Sequence, residues 1–332
     1  MIREEKGVSA SRPVLALAMM ALAGLLAVSG GMARAQSNKV LRLIVPFAPG
    51  GGQEILARTF YTELGTALGQ TVIVENRPGA GGAVGASVVA KAPPDGQMLL
   101  VAASNHIVSA LVAPKRPHDP IKDFTPVAFI GRSGGQVLLV NSEFPVKTVA
   151  EFIKSAKANA GKYNYASAGI GSSSHLAMAM FANTAGLQMV HVPYKSNAEQ
   201  ITELLGGRIH TMFIPALSAV GYANDNRLRM LAITSLERWP LLSQVPAVSE
   251  TFPGYEYRGW FGLLGPAGMP RPVVDRINRE MTRLLKEQAI SEGITKQGIE
   301  PRALTPEAFG QMMREDYDRI AAIIKQSGIT AE

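Results

Sequence analysis

Short apolar, β-branched runs alternate along this chain with segments whose apolar residues recur at helical spacing. The runs predict strands at 40–47, 71–76, 98–104, 126–131, 136–141, 162–167, 189–194, 209–214, 229–235 and 257–265. In the first intervening helix, Leu56, Phe60, Leu64 and Leu68 fall four apart and make one apolar face. Segments 148–158, 174–184 and 197–206 have the same periodicity. Strand-helix alternation predicts an α/β fold with two mostly parallel sheets flanked by helices. The tail departs from this rhythm. Residues 265–288 and 304–329 each give an amphipathic helix, the first turning Ile277, Met281, Leu284 and Leu285 inward. The second starts on Thr305 as N-cap, Pro306 and Glu307. Both are expected on the exterior of one domain.

At 332 residues the chain is long enough for two domains. The apolar strands at 136–141 and 257–265 look like crossings between them, which places a cleft between two lobes. Lobe 1 is expected from residues 36–138 plus 259–332, and lobe 2 from 139–258.

The amino-terminal segment reads differently. Arg3, Lys6 and Arg12 precede a 15-residue apolar run, Val14 to Val28, and Ala33-Arg34-Ala35 offers a cleavage site before Gln36. This is the pattern of a secretory signal peptide over residues 1–35. The run is short for a membrane span of about 20 residues. Absence of cysteine excludes a lipoprotein anchor, disulfides and thiolate metal sites. The exported product is therefore expected in the periplasm. Net charge is +7, of which the leader carries +2, and no run of Lys and Arg occurs. No nucleic-acid partner is expected from so diffuse a charge.

Candidate chemistry is sparse. "GRSGG" at 131–135 matches the serine-hydrolase elbow G-x-S-x-G, so a secreted α/β hydrolase using Ser133 is a rival reading. Against it, a strand rather than a helix follows, and no Asp lies between Ser133 and the last histidine, His210. The five histidines make no metal-binding pair, and no phosphate loop or complete dinucleotide fingerprint occurs, so no metal and no cofactor is expected. What remains are three turns at strand ends: "PFAPGGGQE", "ASNH" and "YASAGIGSSSH". Two of them open helices, whose free N–H groups can hold a carboxylate, and glycine lets the backbone come close. The candidate ligand-binding residues are Phe47, Gly50, Gly51, Gly52, Gln53 and Glu54; Ser104 and Asn105; Ser167, Ala168, Gly169, Gly171, Ser172, Ser173 and Ser174; and Phe213 at a later strand end. Glu54 has two readings, a helix-dipole partner or a cleft residue, and Gln53 could donate its amide to a carboxylate.

These segments, together with "VPYKSNAEQITELLGGRIHTMF", "LRMLAITSLERWPLLSQVPAVSE" and "WFGLLGPAGMP", resemble the substrate-binding proteins of tripartite tricarboxylate transporters, the Bug receptors. The matching stretches run in family order from about residue 40 to 330. The resemblance implies a type II-like, two-lobed periplasmic binding fold that holds a small carboxylate between its lobes. The family's carboxylate-binding turns match Gly50 to Gln53, "ASNH", and Ala168 to Ser174. Implied partners are a membrane transporter of one large and one small subunit, or a sensor protein in a rival, signalling role. The protein is expected to be a monomer and not an enzyme. Two departures stand out. Gln53-Glu54 replaces the family's usual Thr-Asp, and Ile214-Pro215 stands where a polar pair is common. A more apolar cleft follows as an expectation, suited to a mono- or dicarboxylate with an apolar or aromatic body.

Overall fold

The computed structural model describes residues 39–112, 117–194 and 196–327; the expected leader lies outside them. The strands are β1 (Val40–Val45), β2 (Thr71–Asn76), β3 (Met98–Ala103), β4 (Phe124–Ser133), β5 (Gln136–Asn141), β6 (Asn164–Ser167), β7 (Val190–Pro193), β8 (Thr211–Pro215), β9 (Leu228–Ile233), β10 (Trp260–Pro266) and β11 (Ile299–Pro301). They form a six-stranded sheet, β11-β4-β10-β3-β1-β2, and a five-stranded sheet, β7-β6-β8-β5-β9. The helices are α1 (Gly52–Leu68), α2 (Ala83–Ala90), α3 (Asn105–Val112), α4 (Val149–Ala158), α5 (Ser173–Ala185), α6 (Asn197–Leu205), α7 (Ala216–Val220), α8 (Arg271–Leu284), α9 (Gln288–Thr295) and α10 (Pro306–Ser327).

β1 shows how the layers form. Leu41, Leu43 and Val45 face the core built with α1 and α8, while Ile44 faces the opposite core. A strand buried on both faces reads as a continuous apolar run, which is why periodicity alone does not separate it from a helix. The four-apart face of α1 is buried as expected, and the helix stops at Gly69, whose φ of 61° closes the left-handed cap.

The sheets are mixed rather than mostly parallel. β1 pairs parallel with β2 and β3, and β6 with β7 and β8, but β4, β5 and β10 run antiparallel to their neighbours. The crossings explain this. The chain leaves the first sheet through Gly134-Gly135 and enters the second at the end where its parallel strands finish. β5 lies wholly in the second sheet, so a boundary after residue 138 would cut it. Both glycines are sterically required: an added Cβ would lie 2.6 Å from the Trp239 ring at Gly134 and 2.7 Å from Thr234 Oγ1 at Gly135, where φ is also +87°.

The tail helices differ from each other. α8 stays on the first sheet, against β4 and α1. α10 packs on β4 and α3 and also on α5 of the second lobe, so it is not confined to one domain. Its Phe309, Met313, Ile320 and Ile323 join a core that includes Phe129 on one side and Leu176 and Phe181 on the other. Asp316 on α10 accepts a hydrogen bond from the Trp260 indole at 2.8 Å. The short α2, α3, α7, α9 and β11 escape the sequence pattern, although in α9 Ile290 and Ile294 are four apart and buried.

Candidate functional site

Strand direction brings the candidate turns together. β1, β2 and β3 end at one edge of the first sheet, and the antiparallel pairing of Trp260 with Arg132 puts the exit of β4 and the start of β10 at that same edge. In the second sheet Gln136 pairs with Pro215, so the start of β5 lies where β6 and β8 finish. Since β4 runs directly into β5, the carboxyl edges of both sheets meet at the crossing. Ligands of open α/β sheets sit at such edges. The crossing is tied at two points. Gly259 donates to Ser133 Oγ at 3.0 Å, and Thr234 Oγ1 accepts from Gln136 N at 2.8 Å while donating to the Tyr257 carbonyl at 2.6 Å.

The first-lobe turn is open backbone. Gly50 has φ +84°, and an added Cβ on Gly50 or Gly52 would meet nothing within 4 Å. The N–H groups of Gly51, Gly52 and Gln53 have no partner among the described residues, as expected at a helix start without a side-chain cap. The Glu54 side chain is turned onto its own loop and helix. Its carboxylate accepts from Gly50 N at 2.5 Å and pairs with Arg58 at 2.7 Å, and these contacts, the Gly50 N–H first, hold it below the usual carboxylate range. The Gln53 amide is also committed: it donates to the Val101 carbonyl at 2.7 Å, tying α1 to β3.

The second-lobe turn is braced by side chains. Ser174 Oγ accepts from Ala168 N at 3.0 Å, Ser167 Oγ from Gly169 N at 3.1 Å, and Ser172 Oγ caps α5 through His175 N. His175 Nδ1 accepts from Gly171 N at 3.2 Å, which leaves its proton on Nε2. Its ring stacks on His191 at 3.8 Å, and His191 meets Ser167 Oγ at 2.6 Å. Burial, aided by His191, pushes the His175 imidazole down to about 4; burial also lowers His191. Both rings are neutral at pH 7. The N–H groups of Ile170, Ser173 and Ser174 have no partner among the described residues. An added Cβ on Gly171 would lie 3.5 Å from Val112, so this turn rests on α3 of the first lobe.

The third turn contributes Ser104 and Asn105, both half-buried, at the start of α3. Ser104 Oγ and Ser133 Oγ would each lie 3.2 Å from a Cβ on Gly259, so the two serines are brought together. Ser133 accepts from Gly259 N and, at 3.4 Å, from Gly135 N, and a strand follows it; it is a tie at the crossing, not a nucleophile elbow. His106, the second residue of α3, is buried with Nε2 on the Pro120 carbonyl, and burial takes it to about 4. Phe47 is half-buried and its ring would lie 3.3 Å from a Cβ on Gly82, whose φ is +99°. Asn76 donates to the Phe47 carbonyl at 2.9 Å. The glycine string at 79–82 therefore belongs to this region, as support for Phe47. Two expectations fail. Phe213 is sealed in the core against Phe181, and Ile214 points into the opposite core, so neither lines an open surface. A strand end inside a sheet covered on both faces buries its side chains even where its backbone reaches the edge. Sequence reasoning missed Gln136, Thr234 and His191, which sit at the crossing or under the second turn but carry no motif.

A family model described as the tripartite tricarboxylate transporter family receptor matches residues 56–329. The chain is 33% identical over 318 residues, 93% of its length and 94% of the relative's, to a UPF0065 protein in the tcbD-tcbE intergenic region of Pseudomonas sp. strain P51. An R. palustris protein solved with adipate has a TM-score of 0.71 and 30% identity, covering 89% of this chain and 99% of its own. MatC from Rhodopseudomonas palustris, solved with bound malate, has a TM-score of 0.66 and 30% identity, covering 86% and 98%.

Proposed function

We propose that this chain, which belongs to the tripartite tricarboxylate transporter receptor family, is a periplasmic solute-binding receptor that captures a small carboxylate where its two lobes meet. The observation that carries the reading is the pair of helix N-termini at the carboxyl edges of the two sheets. Each offers its first two N–H groups unpartnered, Gly52 and Gln53 in α1 and Ser173 and Ser174 in α5. Such donors hold an anion without a cationic side chain. The solved relatives that carry adipate and malate support a carboxylate of this size.

Binding closes the lobes about the crossing at Gly134-Gly135 and residues 234–259, with lobe 1 formed by the segments up to that crossing and from residue 259 onward. The contacting residues are the backbone of Gly51 to Gln53 and of Ile170 to Ser174, with Ser104 and Asn105 beside them. Gln53 and Glu54 act through their positions in α1 rather than through their side chains. With Ile214 buried, its side chain gives the site no apolar wall, and a short dicarboxylate suits the paired donors. The closed form delivers its ligand to a membrane transporter of one large and one small subunit.

A thermal-shift screen of mono-, di- and tricarboxylates, aromatic acids and amides on the protein from residue 36 onward tests the reading. A ligand at a hundred times its Kd stabilises by about 2.7 kcal/mol, a readily measured rise in Tm. Failure of every carboxylate to raise Tm would overturn it.

A further inference from the structure

Gln136 is the first residue of β5, at the point where the chain arrives from the first lobe. Its backbone is clamped on both sides: its N–H donates to Thr234 Oγ1 and its carbonyl accepts from Thr234 N at 2.9 Å. Its side chain is 7% exposed and follows the face of Leu138, toward α5. There the amide Nε2 meets Ser173 Oγ at 3.4 Å, beside the unpartnered N–H groups of Ser173 and Ser174. The amide oxygen Oε1 is buried and has no hydrogen-bond partner among the described residues. Three other buried glutamine oxygens share that condition, those of Gln97, Gln200 and Gln297, but they lie ahead of β3, within α6 and after α9. Gln136 alone among the four reaches the N-terminus of α5.

An unsatisfied buried acceptor is unfavourable unless something supplies a donor. Resting on the carboxylate-receptor reading, we propose that Gln136 is a specificity-determining residue, and that its amide oxygen accepts a hydrogen bond from a hydroxyl or ammonium group next to the ligand carboxylate held on α5. The ligand class narrows accordingly to 2-hydroxy and 2-amino carboxylates. A carboxylate on the N–H groups of Ser173 and Ser174 places its α-substituent within reach of the amide that already touches Ser173. The rigid backbone of Gln136 fixes that amide before binding, so a ligand lacking the donor leaves Oε1 unpaired. A site built around a buried polar group rejects an analogue that cannot satisfy it far more strongly than an apolar pocket rejects a missing methylene.

The test is calorimetry on the wild-type protein and on Gln136→Met with matched series: succinate, malate, aspartate and oxaloacetate; glutarate and its 2-hydroxy, 2-amino and 2-oxo forms; 3-phenylpropionate and its corresponding forms. In the series that binds best, the 2-hydroxy or 2-amino member should bind about ten- to a hundredfold tighter than the unsubstituted acid. In Gln136→Met that gap should shrink to less than about threefold. Gln136→Asn, which withdraws the amide by one methylene, should also narrow the gap and serves if the methionine variant does not fold. Equal binding of the substituted and unsubstituted acids by wild type, tightest binding of the 2-oxo member, or a gap that survives both variants would each overturn the proposal while leaving the carboxylate receptor intact. A buried water as the partner of Oε1 would give equal binding, because the oxygen would then need no donor from the ligand. Failure of every acid in all three series would remove the receptor reading and this inference together.

Discussion

The turn before α1 and the turn before α5 occupy equivalent places, yet they are built from different materials. In the first lobe three consecutive glycines leave the backbone bare, and the side chains that follow are turned away: Gln53 holds β3, and Glu54 holds Gly50 and Arg58. In the second lobe only Gly169 and Gly171 are glycine, both at positive φ, and Ser167, Ser172, Ser174 and His175 each engage a backbone N–H of the turn or of α5. Each arrangement leaves the first two N–H groups of a helix unpartnered. One lobe achieves this by omitting side chains so that a ligand can approach, the other by using small polar side chains to hold the backbone in place. Open backbone should be sensitive to added bulk, and braced backbone to lost hydrogen bonds.

The largest effect is expected at Gly52. Leucine there meets no protein atom within 4 Å of its Cβ, so the fold tolerates it. The same space is where a carboxylate must come, and calorimetry with the best ligand should show Kd rising by about a hundredfold or more, roughly 2.7 kcal/mol. Unchanged affinity with an unchanged melting curve would take this turn out of the site.

The second-lobe counterpart is Ser174→Ala. It strands the Ala168 N–H beneath a side chain that is 2% exposed, and urea unfolding should show a loss of about 1–2 kcal/mol. A stability loss below about 0.5 kcal/mol would mean that the turn is not braced by its serines.

Acid should separate the lobes' turns further. His175 has a folded pKa of about 4 against an ordinary value of 6.5, so between those limits the unfolded chain binds more protons than the folded one. Stability attributable to this group is complete above pH 6.5 and is lost as pH falls toward 4. Protection of the amides in residues 168–175, taken relative to their intrinsic exchange rate at each pH, should therefore fall over that interval more than in residues 46–54, whose titrating group, Glu54, is held below the usual carboxylate range. His175→Phe should flatten the fall of Tm over the same interval. An equal fall in protection in both turns would break the contrast.

The smallest effect is expected for Glu54→Gln. Because the carboxylate faces its own loop, carboxylate affinity should change by no more than about threefold, close to the scale of an exposed charge pair. A change of tenfold or more would return Glu54 to the ligand.

Much of this was readable along the chain. Ten of the strands, the apolar face of α1, the glycine and serine turns and their placement at strand ends follow from period, composition and turn chemistry, because those depend on neighbours a few residues away. The short α2, α3, α7, α9 and β11 were too brief to show a period. The roles of individual side chains were not readable. Gln53 and Glu54 look like ligand contacts in "GGGQE" and became internal braces only once Val101, 48 residues away, and the Gly50 N–H were in place. Phe213 and Ile214 look like edge residues and are interior, because helices cover both faces of their sheet.

Two α/β lobes, with glycine and serine at the ends of their central strands, are written in the order of residues along the chain. Local propensity and burial pattern act over a few residues and leave their trace in order. The tertiary structure decided that β4 runs straight into β5, that the two carboxyl edges therefore meet, that α10 braces both lobes, and that Gln136 stands beside Ser173 with its oxygen unpaired. Those outcomes depend on strand direction and on contacts between distant segments, for which a linear pattern carries no signal.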